Sequence, residues 1–167
     1  MTKYQDPRLM PSMQGNTHVM VDDSVIDFLH IELVDAMPEK LEQVGYMTGY
    51  RYVERLTADM LRFQDEELDV MKFICREFWS SIFHKQIDNL RTNRSGQYVL
   101  HENRFRFITK ISNGKQYTEL MPKYLAFTCG LIKGALADFG ISATISGDVT
   151  KPPACIFNVQ IHRGVPV

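Results

Sequence analysis

The 167-residue sequence has few cysteines and no long apolar run. Its cysteines, Cys75, Cys129 and Cys155, are odd in number and lack CxxC spacing, which argues against a disulfide framework or a zinc site. No uncharged apolar stretch approaches the roughly 18 residues that a membrane-spanning helix needs. The first 21 residues lack the apolar core of a signal peptide. We therefore predict a cytosolic protein.

Patterns typical of catalytic and cofactor sites are also missing. No two histidines are three or four residues apart, so the sequence predicts no metal site. The cysteines lie in apolar segments, which indicates buried and unreactive thiols. Gly130 and Gly134 lie within a helical pattern, so they predict close packing of a helix on a sheet and not a phosphate loop. We predict no catalysis, no metal and no cofactor.

The charge is balanced overall but unevenly distributed. The net charge is −1, which gives no bulk attraction to nucleic acid or acidic membrane. Residues 22–77 contain 14 acidic and 6 basic residues, whereas residues 84–115 contain 2 acidic and 7 basic ones. The molecule is therefore predicted to be dipolar, an arrangement that can orient a protein against a partner or an anionic surface.

Helical periodicity dominates the first half of the sequence. Apolar residues at three- and four-residue spacing predict one helix from Asp22 to Pro38 and a second from Met47 to Leu61, after a turn that leads to Gly45. A third helix opens at residues 65–67 and is apolar on most sides, which predicts a central, buried element. A fourth runs from about Pro122 to Asp138.

Alternating residues predict four strands. We expect them near residues 98–100, 104–107, 141–145 and 155–161, with a tight turn at residues 102–103 and a polar, turn-rich segment at residues 89–96. The order αααββαββ predicts an α+β fold, a helical layer packed on a four-stranded antiparallel sheet. We expect a flexible tail over residues 1–20, one domain over residues 21–163 and a short tail over residues 164–167.

The first two helices carry more large apolar side chains than one small domain can bury. Tyr and Met are enriched at protein interfaces, so we predict that these helices bind another polypeptide, with burial inside the domain as the open alternative. The predicted interface residues are Phe28, Leu29, Glu32, Leu33, Tyr46, Met47, Tyr50, Tyr52 and Arg55.

A basic strip forms a second candidate surface, for acidic lipid or protein. It comprises Lys85, Arg91, Arg94, Arg104 and Arg106. Alternation places Phe105 and Phe107 opposite the neighbouring arginines, so these rings are not expected to stack on nucleic-acid bases, and we predict no nucleic acid as partner.

Several longer motifs resemble the small subunits of the transport protein particle (TRAPP). LEQVGY at residues 41–46, Gly49 and VERLT at residues 53–57 resemble the second helix of these subunits. The subunit 6 branch is resembled by LDVMKFIC at residues 68–75, KQIDNLRTN at residues 85–93, GKQY at residues 114–117 and KYLAFTCGLI at residues 123–132. The resemblance covers roughly residues 22–162.

The resemblance implies a scaffold role. Subunit 6 proteins pair with a Bet-three type subunit through their first two helices and enter a vesicle-tethering complex at the endoplasmic reticulum and cis-Golgi. That complex associates peripherally with membranes and exchanges nucleotide on a Rab-type GTPase, with the catalytic surface supplied by other subunits. Bet-three type subunits carry an acylated cysteine after the second helix, but residues 57–65 here contain none.

Members of the same superfamily that hold haem imply the alternative of a small-molecule sensor. Such a function needs a histidine that projects into a pocket, and His30 is the histidine that lies within a predicted core helix.

Overall fold

A helical layer covers one face of a four-stranded antiparallel sheet, as the sequence predicts. The computed structural model describes residues 23–58, 67–93, 95–109, 111 and 120–163. The segments predicted to be tails, residues 1–20 and 164–167, lie outside the described residues.

The chain begins with two helices joined by a single 3-10 turn. Helix α1 spans Asp23–Ala36, the turn spans Pro38–Lys40 and α2 spans Leu41–Thr57. The predicted start of the second helix at Met47 is therefore wrong, and its predicted continuation falls partly on residues 59–66, outside the described residues. Helix α2 buries every fourth residue on one stripe: Leu41, Gly45, Gly49 and Val53.

The third predicted helix is a run of three helical parts. Helix α3 covers Glu67–Phe73, a π-helical segment covers Ile74–Phe78 and α4 covers Trp79–Phe83. In the π segment, the Cys75 carbonyl oxygen accepts a hydrogen bond from the Ile87 N–H at 2.9 Å, which fixes the following loop. The prediction of a central, buried helix is confirmed because both α4 and the π segment place aromatic side chains in the core.

The sheet has the order β1-β2-β4-β3 with every neighbouring pair antiparallel. Its strands are β1 (Asn89–Thr92), β2 (Gln97–Glu102), β3 (Ala143–Lys151) and β4 (Ala154–Ile161). Alternate residues of β2 and β4 point into the core, where Leu100 lies opposite Phe157.

The strand predicted at residues 104–107 is wrong. That segment enters the short helix α5 (Arg106–Thr109), and Phe105 and Phe107 are both buried. The Phe105 carbonyl oxygen accepts from the Thr109 N–H at 3.0 Å, so the alternation of basic and aromatic residues is incidental to a helical turn. The sheet gains its fourth strand from β1, inside the segment predicted as a polar turn, and the hairpin is formed by β1 with β2, so the strand pair predicted around a turn at residues 102–103 is wrong.

Helix α6 (Met121–Asp138) lies between α2 and the sheet. Gly140 follows two residues after its last residue, with a φ of +75° that favours glycine. Toward α2, Gly130 and Gly134 face backbone so closely that a Cβ at either position would lie 2.0 Å from a carbonyl oxygen. These glycines therefore allow close helix–helix contact, and the predicted helix–sheet role for them is wrong.

Candidate protein interface

The polarity of the first half of α1 is inverted relative to an ordinary surface helix, whereas Val34 in the second half is buried. Its inward side carries Asp27 and His30, each only 5% exposed. Its outward side carries Phe28, which is 65% exposed, and Leu29, which is 53% exposed. A helix normally buries its apolar stripe and leaves charged residues in water. This arrangement leaves large apolar side chains without cover from any described residue.

Polar and aromatic contacts hold the inward side of α1. The Arg106 Nε of α5 donates to Asp27 Oδ1 at 2.5 Å, in an ion pair that is largely buried. The His30 ring stacks on Phe107, with a centroid distance of 3.8 Å and an angle of 7° between the planes. Neither ring nitrogen of His30 has a hydrogen-bond partner among the described residues. Burial lowers the pKa of His30 from 6.5 to about 4, although the Asp27 charge acts in the opposite direction.

Most of the exposed large apolar side chains of the described residues belong to α1 and α2. On α1 they are Val25, Ile26, Phe28 and Leu29, and on α2 they are Val44, Met47 and Tyr50. An apolar concentration of this kind is typical of a protein–protein contact surface. We call these seven residues the α1–α2 apolar surface.

The structure places the residues predicted for the interface on α1 and along both flanks of α2. Phe28, Leu29 and Glu32 are exposed on α1, whereas Leu33 is half-buried against the small core cluster below that helix. Met47, Tyr52 and Arg55 line an open groove along one flank of α2. Tyr46 and Tyr50, with ring centroids 6.5 Å apart, lie toward the other flank, where Tyr46 borders a depression with Lys133 and the start of β3.

Sequence reasoning missed four residues that belong to these surfaces. They are Val25, Ile26, Val44 and Arg51. Asp27 and His30, three residues apart, could have identified the inward polar side of α1 and hence the exposed apolar residues opposite. Val44 was missed because the second helix was predicted to begin after it.

Some residues of the predicted basic strip form ion pairs within the chain, whereas others are exposed. Lys85 Nζ donates to Asp88 Oδ2 at 3.0 Å and also to Glu102 Oε1, and Arg106 is paired with Asp27. Arg91 and Arg104 are exposed, and Arg94 lies outside the described residues.

Lys85 forms an ion pair with a buried carboxylate. The Glu102 side chain is 1% exposed, and its Oε2 accepts a hydrogen bond from Trp79 Nε1 at 3.2 Å. Its Oε1 accepts from the Arg104 backbone N–H at 3.1 Å as well as from Lys85. This network fixes the end of β2 to the central helix, so Lys85 has a structural role in addition to any role at the surface.

The thiols are buried, as predicted. Burial raises the pKa of Cys75 and of Cys129 to about 12, and it raises the pKa of Cys155 as well. Since the thiolate is the nucleophile, these environments disfavour thiol chemistry. The part of the chain that the structure describes contains no cluster of three or more His, Cys, Asp or Glu side chains able to hold a metal ion. None of its helices is long and apolar enough to cross a membrane.

The geometry at His30 bears on the sensor alternative. Phe107 covers one face of the ring at 3.8 Å, and Tyr124 and Phe127 lie with centroids 5.9 Å away. Aromatic side chains therefore enclose the imidazole, which is buried, and its two ring nitrogens have no hydrogen-bond partner among the described residues. A solved structure titled "Probing the function of heme distortion in the H-NOX family" matches with a TM-score of 0.50 and 12% identity, covering 88% of this chain and 74% of that one, so the likeness is one of fold alone.

The helical layer and the sheet define the class of fold to which this protein belongs. A trafficking protein particle complex subunit 3 from Naegleria fowleri, solved covalently bound to palmitic acid, matches with a TM-score of 0.68 and 15% identity. The match covers 86% of this chain and 97% of that one. The profile of the family described as transport protein particle (TRAPP) component matches residues 17–162.

Relatives with higher identity identify the branch. The chain is 47% identical over 157 residues to subunit 6b of the trafficking protein particle complex of Danio rerio, covering 86% of this chain and 99% of that protein. It is 46% identical to human subunit 6B and 41% identical to human subunit 6A, over the same shares of each chain. The chain belongs to the TRAPP component family, in its subunit 6 branch.

Proposed function

We propose that this chain is a non-catalytic structural subunit that pairs with a Bet-three type TRAPP subunit through the α1–α2 apolar surface. The observation that carries the proposal is the inversion of α1, which exposes Phe28 and Leu29 while burying Asp27 and His30. Within a single chain this exposure is unfavourable, because apolar surface gains free energy when it leaves water. A partner that covers the surface removes that cost.

The expected size of the contact is that of an ordinary specific interface. Stable pairs bury roughly 1,200–2,000 Å² in total. Covering a large side chain that is about half exposed contributes on the order of 1 kcal/mol. Phe28, Leu29 and Met47 are therefore expected to be among the residues with the largest effects, since large buried side chains dominate interface energies.

The proposed role in the cell follows from the pairing. The pair enters a TRAPP vesicle-tethering complex that acts between the endoplasmic reticulum and the cis-Golgi and associates peripherally with membranes. Other subunits carry the nucleotide-exchange surface for a Rab-type GTPase, and this chain supports their assembly. The buried thiols and the subunit 6 relatives support a scaffold role.

Co-expression with the Bet-three type subunit of the same organism, which we call subunit 3, tests the pairing. Leu29→Asp and Tyr50→Asp would each place a carboxylate in the covered surface, where its desolvation has no compensation, so we expect co-purification to fall at least about tenfold. Leu68→Asp is the matched control, because Leu68 is 38% exposed on α3, away from the proposed contact. Unchanged recovery of subunit 3 with both interface variants would contradict the proposal.

A further inference from the structure

Two arginines of like charge lie one turn apart on α2. Arg51 and Arg55 are both exposed, and neither forms an ion pair with a described residue. Like charges at this spacing repel and slightly destabilise a helix. The position of Arg55 in the last turn of α2 is favourable for the helix dipole, but that benefit does not extend to Arg51, a full turn earlier.

Neither acidic residue of α2 forms an ion pair with these arginines. Glu42 Oε1 accepts from Lys133 Nζ of α6 at 2.9 Å. Glu54 forms no ion pair with a described residue; burial raises the pKa of Asp138, and the nearby charge of Glu54 raises it further. The chain therefore supplies the two arginines with no carboxylate from their own helix.

Apolar side chains lie beside these arginines. Val44, Met47 and Tyr52 line the same open groove as Arg51 and Arg55. Along the helix, the apolar residues Val44 and Met47 come first and the cationic residues follow one to two turns later. Arginine combines an apolar stem with a planar group that pairs with carboxylates in two parallel hydrogen bonds, which makes it suited to a partly desolvated contact.

We propose that the Arg51–Arg55 end of this groove selects its partner by charge, and that it fits a helix of the Bet-three type subunit with apolar side chains at one end of the contact and carboxylates at the other. This inference rests on the proposed function and adds to it the chemistry of the partner. The apolar half of the groove supplies affinity, while the arginines orient the partner helix and disfavour a basic one. Complementary charge of this kind acts strongly on association rate and specificity.

The test is the affinity and salt dependence of binding to purified subunit 3. We expect the double variant Arg51→Glu with Arg55→Glu to bind at least about tenfold more weakly, mostly through slower association. Added salt, which weakens binding of the wild type, should no longer weaken binding of this variant. Arg51→Lys with Arg55→Lys should retain most of the salt dependence. Arg76→Glu, an exposed arginine of the π segment, is the control for a general change of charge.

Met47→Asp separates this inference from the proposed function. If Met47→Asp abolishes pairing while the double glutamate variant binds as the wild type does, the groove is the interface and the charge selection is wrong. If neither change affects pairing, the groove is not part of the interface and the charge selection is wrong, while the proposed pairing is still decided by Leu29→Asp and Tyr50→Asp. If the double variant disrupts only self-association of this chain and leaves subunit 3 binding intact, the assigned occupant is wrong. Circular dichroism of each variant should match that of the wild type.

Discussion

Gly134 of α6 lies against the main chain of Tyr46 on α2, so close that a Cβ at position 134 would stand 2.0 Å from the Tyr46 carbonyl oxygen. Three further glycines continue this contact: Gly45, Gly49 and Gly130. Backbone meets backbone along the whole line, so neither helix can yield by rotating a side chain. The position of α2 and of its exposed flanks therefore requires glycine, which has no side chain, at these four positions.

We predict that Gly134→Ala destabilises the fold despite the higher helix propensity of alanine. Overpacking of this type costs about 1–3 kcal/mol, which exceeds the propensity gain of about 1 kcal/mol. Urea unfolding followed by circular dichroism measures the change. Gly147→Ala is the comparison and should destabilise the fold less, because the three atoms nearest to its Cβ would belong to the side chains of Leu125 and Cys129, at 3.0–3.1 Å, and not to backbone at 2.0 Å. Equal stability of Gly134→Ala and the wild type would show that the helices separate without cost.

The glycine pair illustrates what local sequence patterns can and cannot predict. The spacing of Gly130 and Gly134 indicates close packing, but it does not say against which neighbour, since that depends on long-range contacts. The strand predicted at residues 104–107 was wrong for a related reason. Phe105 directly precedes α5 and Phe107 lies within it, so both are buried from a helical turn and not from a strand. By contrast, α6 and β4 were predicted well, since their apolar periodicity agrees with the layer on which they pack.

The sequence predicted which helices carry the candidate interface, but not how the interface residues are distributed around them, because that distribution also depends on long-range contacts. Counting large apolar residues identified α1 and α2 as exceeding the capacity of the core. The count could not predict which side of each helix is exposed. For α2 this depends on which stripe contacts α6, and for α1 it depends on the pair of Asp27 with Arg106, which lie 79 residues apart in the sequence.

We predict that acid destabilises the protein through His30. Its pKa is 6.5 when unfolded and about 4 when folded, so the unfolded chain takes up the proton first as the pH falls. The stability that His30 contributes is complete above pH 6.5 and declines as the pH falls toward 4. Between about pH 7.5 and 5 the loss should be about 2 kcal/mol.

His30→Phe should remove that part of the acid sensitivity, because phenylalanine can stack on Phe107 without taking up a proton. Urea unfolding of both proteins at the two pH values provides the measurement. An identical loss of stability in wild type and His30→Phe would assign the acid sensitivity to other groups.

We predict that Lys85→Met destabilises the protein by about 2–3 kcal/mol, because it leaves the Glu102 carboxylate buried without its cation. The effect should be smaller than for a fully buried pair, since the Lys85 side chain is 36% exposed. Lys72→Met removes a comparable but exposed pair with Asp69, and should cost less than about 0.5 kcal/mol. Similar thermal unfolding midpoints for the two variants would argue against a stabilising role of the Lys85–Glu102 pair.

We predict that the three cysteines do not react with a thiol reagent such as dithionitrobenzoate while the protein is folded near pH 8. Burial excludes the reagent and raises the pKa of each thiol, so almost no thiolate is available. All three should react rapidly after denaturation in guanidinium. Rapid labelling of one thiol in the native protein would identify an accessible cysteine and reopen thiol chemistry, acylation included.

Hydrogen exchange of the α1 amides, with and without subunit 3, tests most directly whether a partner covers the first two helices. In the free chain, the Asp27–Arg106 pair, the His30 stack and the Val34 contact hold α1 from one side only, so its amides should exchange faster than those of α6. The account predicts that binding of subunit 3 slows exchange in α1 and along α2 by at least about tenfold, with little change in β3 and β4. Protection that appears elsewhere while α1 and α2 exchange as in the free chain would contradict it.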